Sequence, residues 1–280
     1  IEQWKVKPPS AGAYVDVRWG RVRTLQRGQD RKGAVLVMPD PPHVLESLTA
    51  LIDDLATDHL VIAAEGPGFG FSTASAGFRF TPAQQADVIE DVLTHAWVRD
   101  ATVVMTCVGS LYAAEIAARR PDLVGALVLG QAPGPAALRA WATRMDRRRL
   151  LRTPVLGQTV MRLGRRRIAD GWIRYAAAKG SDIEPLARDA KAALASGGLF
   201  SLASAFQSLL RVEVATPAPV RQPVAMLWGS ADRSHKHTDP LAATTWLPHA
   251  TVTLLDGCGH FPDLERPADM ARAVRDVDRR

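Results

Sequence analysis

The chain has 280 residues, 47% of them hydrophobic and 23% charged, a balance that suits one large buried core and excludes a low-complexity or disordered polymer. Its two cysteines, Cys107 and Cys258, are too few for a disulfide framework, and no run of some 18 apolar residues is present to span a bilayer. The start, Ile1-Glu2-Gln3-Trp4-Lys5, lacks the layout of a signal peptide, so a cytoplasmic protein with no membrane partner is expected. The formal net charge of +6 has a local origin, an arginine excess between Arg144 and Arg174 that includes Arg165 and Arg166 and is faced there only by Asp146 and Asp170.

Two strand-like runs, Ala13 to Trp19 and Arg21 to Gln26, break at Gly20 as a hairpin would. They are followed by the apolar run Ala34 to Met38, a helical pattern near Val44 to Leu55, and the run Leu60 to Ala64. Thr81 and Pro82 then open a helix that reaches about Val98, threonine as cap and proline in the first turn. Thr102 to Met105, an alanine-rich helix from Gly109 to Arg119 stopped by Pro121, and the run Val124 to Leu129 complete the first half. Strands alternating with helices in this way predict a parallel sheet covered on both faces.

Beyond Leu129 the pattern changes, because residues 132 to 215 hold helical segments and no convincing buried strand. Alternation resumes with Val224 to Trp228, a helix near Pro240 to Trp246, the strand Thr251 to Leu255 and a last helix from about Pro267 to Val277. The chain thus divides into a core of 1–131 with 216–280 and a helical cap of 132–215, placed over the carboxyl ends of the strands where ligands bind in open α/β folds.

Four segments stand out: Val61-Ile62-Ala63-Ala64-Glu65-Gly66-Pro67-Gly68-Phe69-Gly70-Phe71-Ser72, the stretch Met105 to Pro121, Gly229-Ser230-Ala231-Asp232, and Gly257-Cys258-Gly259-His260-Phe261-Pro262 followed by Glu265-Arg266-Pro267. In order and spacing they resemble the α/β-hydrolase superfamily, particularly its lidded branch of esterases, haloalkane dehalogenases, epoxide hydrolases and carbon–carbon bond hydrolases. The resemblance covers nearly the whole chain. It implies a mostly parallel eight-stranded sheet with helices on both faces and a helical cap inserted after the sixth strand. Glu65 replaces the aspartate usual in the glycine-rich loop.

The resemblance places the nucleophile at a strained strand-to-helix turn, usually G-x-S-x-G. Here that turn reads Met105-Thr106-Cys107-Val108-Gly109, which puts Cys107 on the nucleophile, keeps Gly109 as one small flank and departs from the pattern at bulky Met105. Cysteine is competent at such a turn, since a nearby imidazole and a helix N-terminus favour the thiolate. The alternative is a cysteine that only fills space. Ser110, inside the first helical turn, is expected to bond to backbone. His260 in its Gly-x-Gly-His loop is the expected base and Asp232 the acid that orients it, whereas His235, His237 and His249 suit an exposed surface and Asp256 and Asp263 suit turns or caps. Cys258 near His260 makes an incomplete metal site without a further ligand, so no metal and no cofactor are expected.

Two backbone N–H donors normally hold the oxyanion in this fold. Val108 supplies one. The loop expected to supply the other reads Met38-Pro39-Asp40-Pro41-Pro42-His43 and puts Pro41, which has no N–H, where the donor belongs. Losing one donor costs about a hundred- to a thousandfold in turnover, unless the His43 side chain substitutes or the loop, which also places Asp40 at the oxyanion and substrate side, shifts by a residue. Trp141, Trp172, Tyr175, Phe200 and Phe206 are the cap's aromatics, of which Trp141 and Trp172 are candidate pocket residues. The expected activity is acyl transfer from an ester, thioester or lactone to water, with transfer or cyclisation of acyl thioesters, or a ligand-binding homologue, as alternatives. The cap's arginines suit an anionic acyl carrier such as coenzyme A or a carrier protein, or simply a solvated face, and nucleic acid is not an expected partner. Dehalogenase chemistry would need a carboxylate at 107.

Overall fold

The computed structural model describes residues 8, 10, 12–195, 198–211 and 219–279, with the backbone alone at 165, 166, 192–195, 198 and 199. The N-terminal residues 1–5, the side chains of Arg165 and Arg166, and the 215/216 boundary of the cap lie outside this description.

The hairpin forms from β1 (Ala13–Val17) and β2 (Gly20–Gly28), paired antiparallel. The parallel body consists of β3 (Ala34–Val37), β4 (Leu60–Ala64), β6 (Ala101–Thr106), β7 (Val124–Gly130), β8 (Val224–Gly229) and β9 (Thr251–Leu255). The order across the sheet is β1-β2-β4-β3-β6-β7-β8-β9. A ninth, two-residue strand absent from the sequence pattern, β5 (Thr73–Ala74), pairs with the start of β2. Strands β3 and β6 are buried along their whole length, which is why they read as unbroken apolar runs.

One face of the sheet packs on α2 (Pro82–His95) and α3 (Gly109–Arg119), through residues such as Ile89, Val92, Leu111 and Ile116. The other packs on α1 (Thr49–Leu55) and the last helix, α9 (Pro267–Val277), through Leu51, Ile52, Met270 and Val274. Between β7 and β8 stand α4 (Pro135–Met145), α5 (Leu156–Ala176), α6 (Glu184–Ala195) and α7 (Gly198–Arg211), the helical insertion expected after the sixth main strand. A short α8 (Pro262–Glu265), not foreseen, directly follows His260-Phe261.

Thr81 caps α2 as expected, its hydroxyl accepting from the Gln84 N–H at 3.2 Å, with Pro82 in the first turn. Two helical expectations change. The segment from Val44 opens with a 3-10 turn, Leu45–Leu48, before α1, and Pro240–Thr245 is 3-10 throughout. Among the described residues no helix is long and apolar enough to cross a membrane.

The glycine-rich loop after β4 is anchored by the substituted Glu65. Its carboxylate accepts from the Phe71 N–H at 2.7 Å and from Arg23 at 3.2 Å, with both side chains buried. A Cβ at Gly70, whose φ is +53°, would lie 2.3 Å from that carboxyl carbon, so the loop must be bare there. Burial raises Glu65 to about 7, which Arg23 and the backbone donors work against. Arg23→Leu, which strands this carboxylate, should cost about 3–5 kcal/mol in urea unfolding, and a loss under about 1 kcal/mol would show the pair to be dispensable.

Candidate active site

The carboxyl ends of the central strands and the loop after β9 bring Cys107, Asp232 and His260 together. Cys107 follows β6 with φ +53°, a left-handed conformation that costs a non-glycine residue roughly 1–3 kcal/mol and holds its side chain up at the turn. The turn is pinned from below, the Cys107 N–H donating to the Gly130 carbonyl at 2.8 Å. Met105, the bulky departure, lies against Gly109: a Cβ there would meet Met105 Cε at 3.0 Å and Cβ at 3.1 Å, so the large flank demands the small one. Ser110 behaves as expected, its hydroxyl donating to the Cys107 carbonyl at 2.6 Å.

Asp232 lies just beyond β8, and its Oδ2 accepts from His260 Nδ1 at 2.7 Å. Gln131 Nε2 donates to the same oxygen at 2.7 Å, while Oδ1 accepts from the Ser234 N–H and hydroxyl, each at 2.7 Å. Gln131 is itself held by the Gly229 N–H, which donates to its Oε1 at 2.6 Å. Neither Gln131 nor Ser234 was singled out from the sequence; the one signal was a polar residue directly after the apolar run of β7. Although burial alone would raise it, Asp232 lies well below the usual carboxylate range, because His260 and these donors favour its charged form.

His260 is fully buried. Burial disfavours its imidazolium, yet Asp232 and Cys107 outweigh burial and hold its pKa well above the ordinary value of 6.5. The Cys107 thiol, 3% exposed, is pushed up by burial, against which the His260 charge and the Val108 N–H act. Asp40 Oδ2 lies 3.9 Å from His260 Nε2, a second carboxylate opposite the first, and burial raises it to about 7. His43 is buried beside Phe261, ring centroids 4.7 Å apart, with neither ring nitrogen hydrogen-bonded, and burial lowers it to about 3. Pro41 is half-buried at the turn in which the His43 N–H donates to the Asp40 carbonyl at 3.0 Å.

The insertion closes the site. Trp172 sets its ring edge-to-face against His260 at 5.2 Å, and Trp141 stacks on His235 at 5.2 Å, which stacks on His260 at 5.3 Å. The backbone N–H of His260 donates to the Ala176 carbonyl at the end of α5. Glu265 gathers the Gly259, Phe261 and Ala178 N–H groups within 3.2 Å. A Cβ at Gly259 would meet Ala178 N at 2.4 Å, so glycine is what lets cap and histidine loop approach. Phe206 packs on Trp141 at 6.3 Å, whereas Tyr175 and Phe200 are exposed.

Two expectations are corrected. His235 is not a surface residue but 2% exposed, because the Trp141 indole covers it, and burial lowers it to about 3. Asp263, read as a turn or cap residue, lies instead inside the short α8 and is buried there, which raises it to about 6. His237 and His249 are exposed as expected. Cys258 is a free thiol buried on the α9 side of the sheet, while Cys107 packs on the α3 side, so the two do not meet. One ligand atom from each of Cys107, His235 and His260 lies within 4.8 Å of the others, a set that can hold a metal ion.

Residues 17–273 match the α/β hydrolase family, and the chain belongs to it. A 64-residue stretch is 42% identical to a pimeloyl-[acyl-carrier protein] methyl ester esterase from Aromatoleum aromaticum, a match spanning 21% of this chain and only 24% of that relative's length. Among solved structures, ALR0039 of Nostoc sp PCC 7120, described as a candidate α/β hydrolase, superposes with a TM-score of 0.82 at 18% identity over 95% of this chain and 97% of that one. A haloalkane dehalogenase from Bradyrhizobium elkani reaches 0.73 at 16% identity over 96% and 99%. At such identities these structures share the fold alone.

The Cys107–His260 geometry has a pH signature. While Asp232 keeps the ring protonated, its charge favours the Cys107 thiolate that burial disfavours, so iodoacetamide alkylation of Cys107, followed by peptide mass, should rise with pH through a midpoint set by that pair. In Asp232→Asn the imidazolium loses its partner, the thiolate loses the counter-charge that favours it, and that midpoint should rise. An unchanged midpoint would show that the carboxylate and the imidazole are not coupled.

Proposed function

We propose that this protein transfers an acyl group from a small-molecule ester, thioester or lactone to water through Cys107, His260 and Asp232. The observation that carries the reading is the convergence of a thiol on a left-handed turn with an imidazole whose far nitrogen is held at 2.7 Å by a buried, fully bonded carboxylate. In the neutral-ring form, His260 takes the thiol proton as Cys107 Sγ bonds to the acyl carbon. The Val108 N–H donates to the developing oxyanion, and the proton passes to the departing alcohol or thiol. Water then attacks the thioester, returning its proton through His260 and freeing the sulfur. Trp141 and Trp172 form the apolar wall against the imidazole, and residues 132–215 act as the cap over a core of 1–131 and 216–280.

The short similarity to a carrier-protein methyl ester esterase favours an acyl group delivered on a phosphopantetheine carrier, which the exposed Arg147, Arg148 and Arg149 beside the cap's first helix would attract. A second reading, a ligand-binding homologue, draws on Asp40: its carboxylate beside His260 Nε2 and the missing N–H at Pro41 both work against an oxyanion.

Incubation with p-nitrophenyl esters and acyl thioesters followed by intact mass separates these readings. An acyl adduct that disappears in Cys107→Ala, with turnover falling on the order of 10²–10⁴-fold in His260→Ala, is the expected result. No adduct and no turnover from a folded protein would favour ligand binding.

Asp40 gives an independent check. Its carboxyl, raised to about 7, is neutral below that pH and charged above it, so only above it does it repel an oxyanion. Asp40→Asn should therefore leave acylation unchanged below about pH 6 and accelerate it above about pH 8. Slower acylation at both pH values would assign Asp40 a positive role instead.

A further inference from the structure

Two cysteines and one histidine make an incomplete metal set in the sequence; the fold removes Cys258 from that set and brings in His235. His235 lies in the loop beyond β8, three residues after Asp232, and folds back under Trp141. There it stacks on His260 with centroids 5.3 Å apart and planes 10° from parallel. The Nδ1 atoms of the two rings are both engaged, His260 with Asp232 at 2.7 Å and His235 with the Thr238 hydroxyl at 3.1 Å. That leaves the two Nε2 atoms, and both are buried without a nitrogen or oxygen hydrogen-bond partner. His260 Nε2 faces the Cys107 thiol, whereas leaving the His235 Nε2 bare in a closed site is costly. With the Cys107 sulfur, one nitrogen from each ring completes a set whose members lie within 4.8 Å of one another.

We propose that Cys107, His235 and His260 form a binding site for a thiophilic divalent cation of the zinc type. One sulfur and two imidazole nitrogens are a borderline-soft donor set that suits zinc, with a fourth position left for water or another ligand. Bonds of about 2.0–2.3 Å are within reach of three ligand atoms that lie within 4.8 Å of one another. The outer partners are in place before the ion arrives: Asp232 and Thr238 fix the ring orientations, and Asp40, 3.9 Å from His260 Nε2, adds negative charge beside the site. Uptake forms the metal–sulfur and two metal–nitrogen bonds and releases to solvent every proton the sulfur and the His260 nitrogen carry, one from a thiol with a neutral imidazole or a thiolate with an imidazolium, and two from a thiol with an imidazolium. The bound ion occupies the sulfur and the nitrogen that the proposed acyl chemistry requires, so it also acts as a reversible block on that chemistry.

Equilibrium dialysis of the chelator-treated 280-residue chain against Co²⁺, read by absorption, tests the site without any substrate. One equivalent should bind and give a thiolate-to-cobalt charge-transfer band in the near ultraviolet, which Zn²⁺ then removes. Cys107→Ser should lose the band. His235→Phe, which keeps an aromatic ring in the stack but offers no ligand, should bind Co²⁺ at least about tenfold more weakly, with melting curves confirming that both variants fold. No charge-transfer band in the native protein, or a band and affinity unchanged in His235→Phe, would overturn the proposal. With the acylation assay run on the same chelator-treated protein, an acyl adduct on Cys107 without a cobalt band sinks the metal site alone, and a cobalt band without an adduct sinks acyl transfer alone.

Discussion

The buried contact between Asp232 and His260 is the constraint around which the rest of the site is built. A carboxylate removed from water is tolerated only when its lone pairs are satisfied, and here Gln131, Ser234 and His260 together satisfy it. Those partners come from separate strand ends, so the charge ties β7, β8 and the loop after β9 to one another. The Gly229 N–H completes the arrangement by holding Gln131 in place. Orientation of the imidazole follows from this anchorage, since a ring fixed at Nδ1 must present Nε2 to the opposite side.

That opposite side is crowded with titratable groups withdrawn from water. A thiol, a second carboxylate and a second imidazole face one nitrogen, in a space closed by Trp141 and Trp172. Low local polarity raises Cys107 and Asp40 and lowers His43 and His235, so burial sets the protonation of the site as much as the individual partners do. The cap is therefore an electrostatic element as well as a steric one. The helical insertion is attached to the core through Glu265 and the Ala176 carbonyl, contacts that pass within a residue of His260.

The likeness in fold to a haloalkane dehalogenase and to ALR0039, at 16% and 18% identity, shows how little sequence is needed to keep this scaffold. In this chain the scaffold rests on the alternation of apolar strands and amphipathic helices, together with a few bare backbone positions such as Gly70 and Gly259. The side chains mounted at the strand tips are free to change, and the chemistry changes with them.

The strands, the hairpin at Gly20 and the helices beginning at Pro82, Gly109 and Pro267 were legible in the sequence, because periodicity and capping are local properties. So were the turn at Cys107 and the loop at His260, each marked by its neighbouring glycines. Gln131 was not legible, since its partner Asp232 lies 101 residues away and only sheet order brings the two together. The burial of His235 was equally hidden: a polar residue in a loop reads as exposed until what covers it, here the Trp141 indole, is in place. The sequence by itself determined which backbone turns could form and where reactive side chains would sit along them. Only the tertiary structure decided which of those side chains share a water-free space, because desolvation depends on what packs around a group and not on its neighbours in the chain.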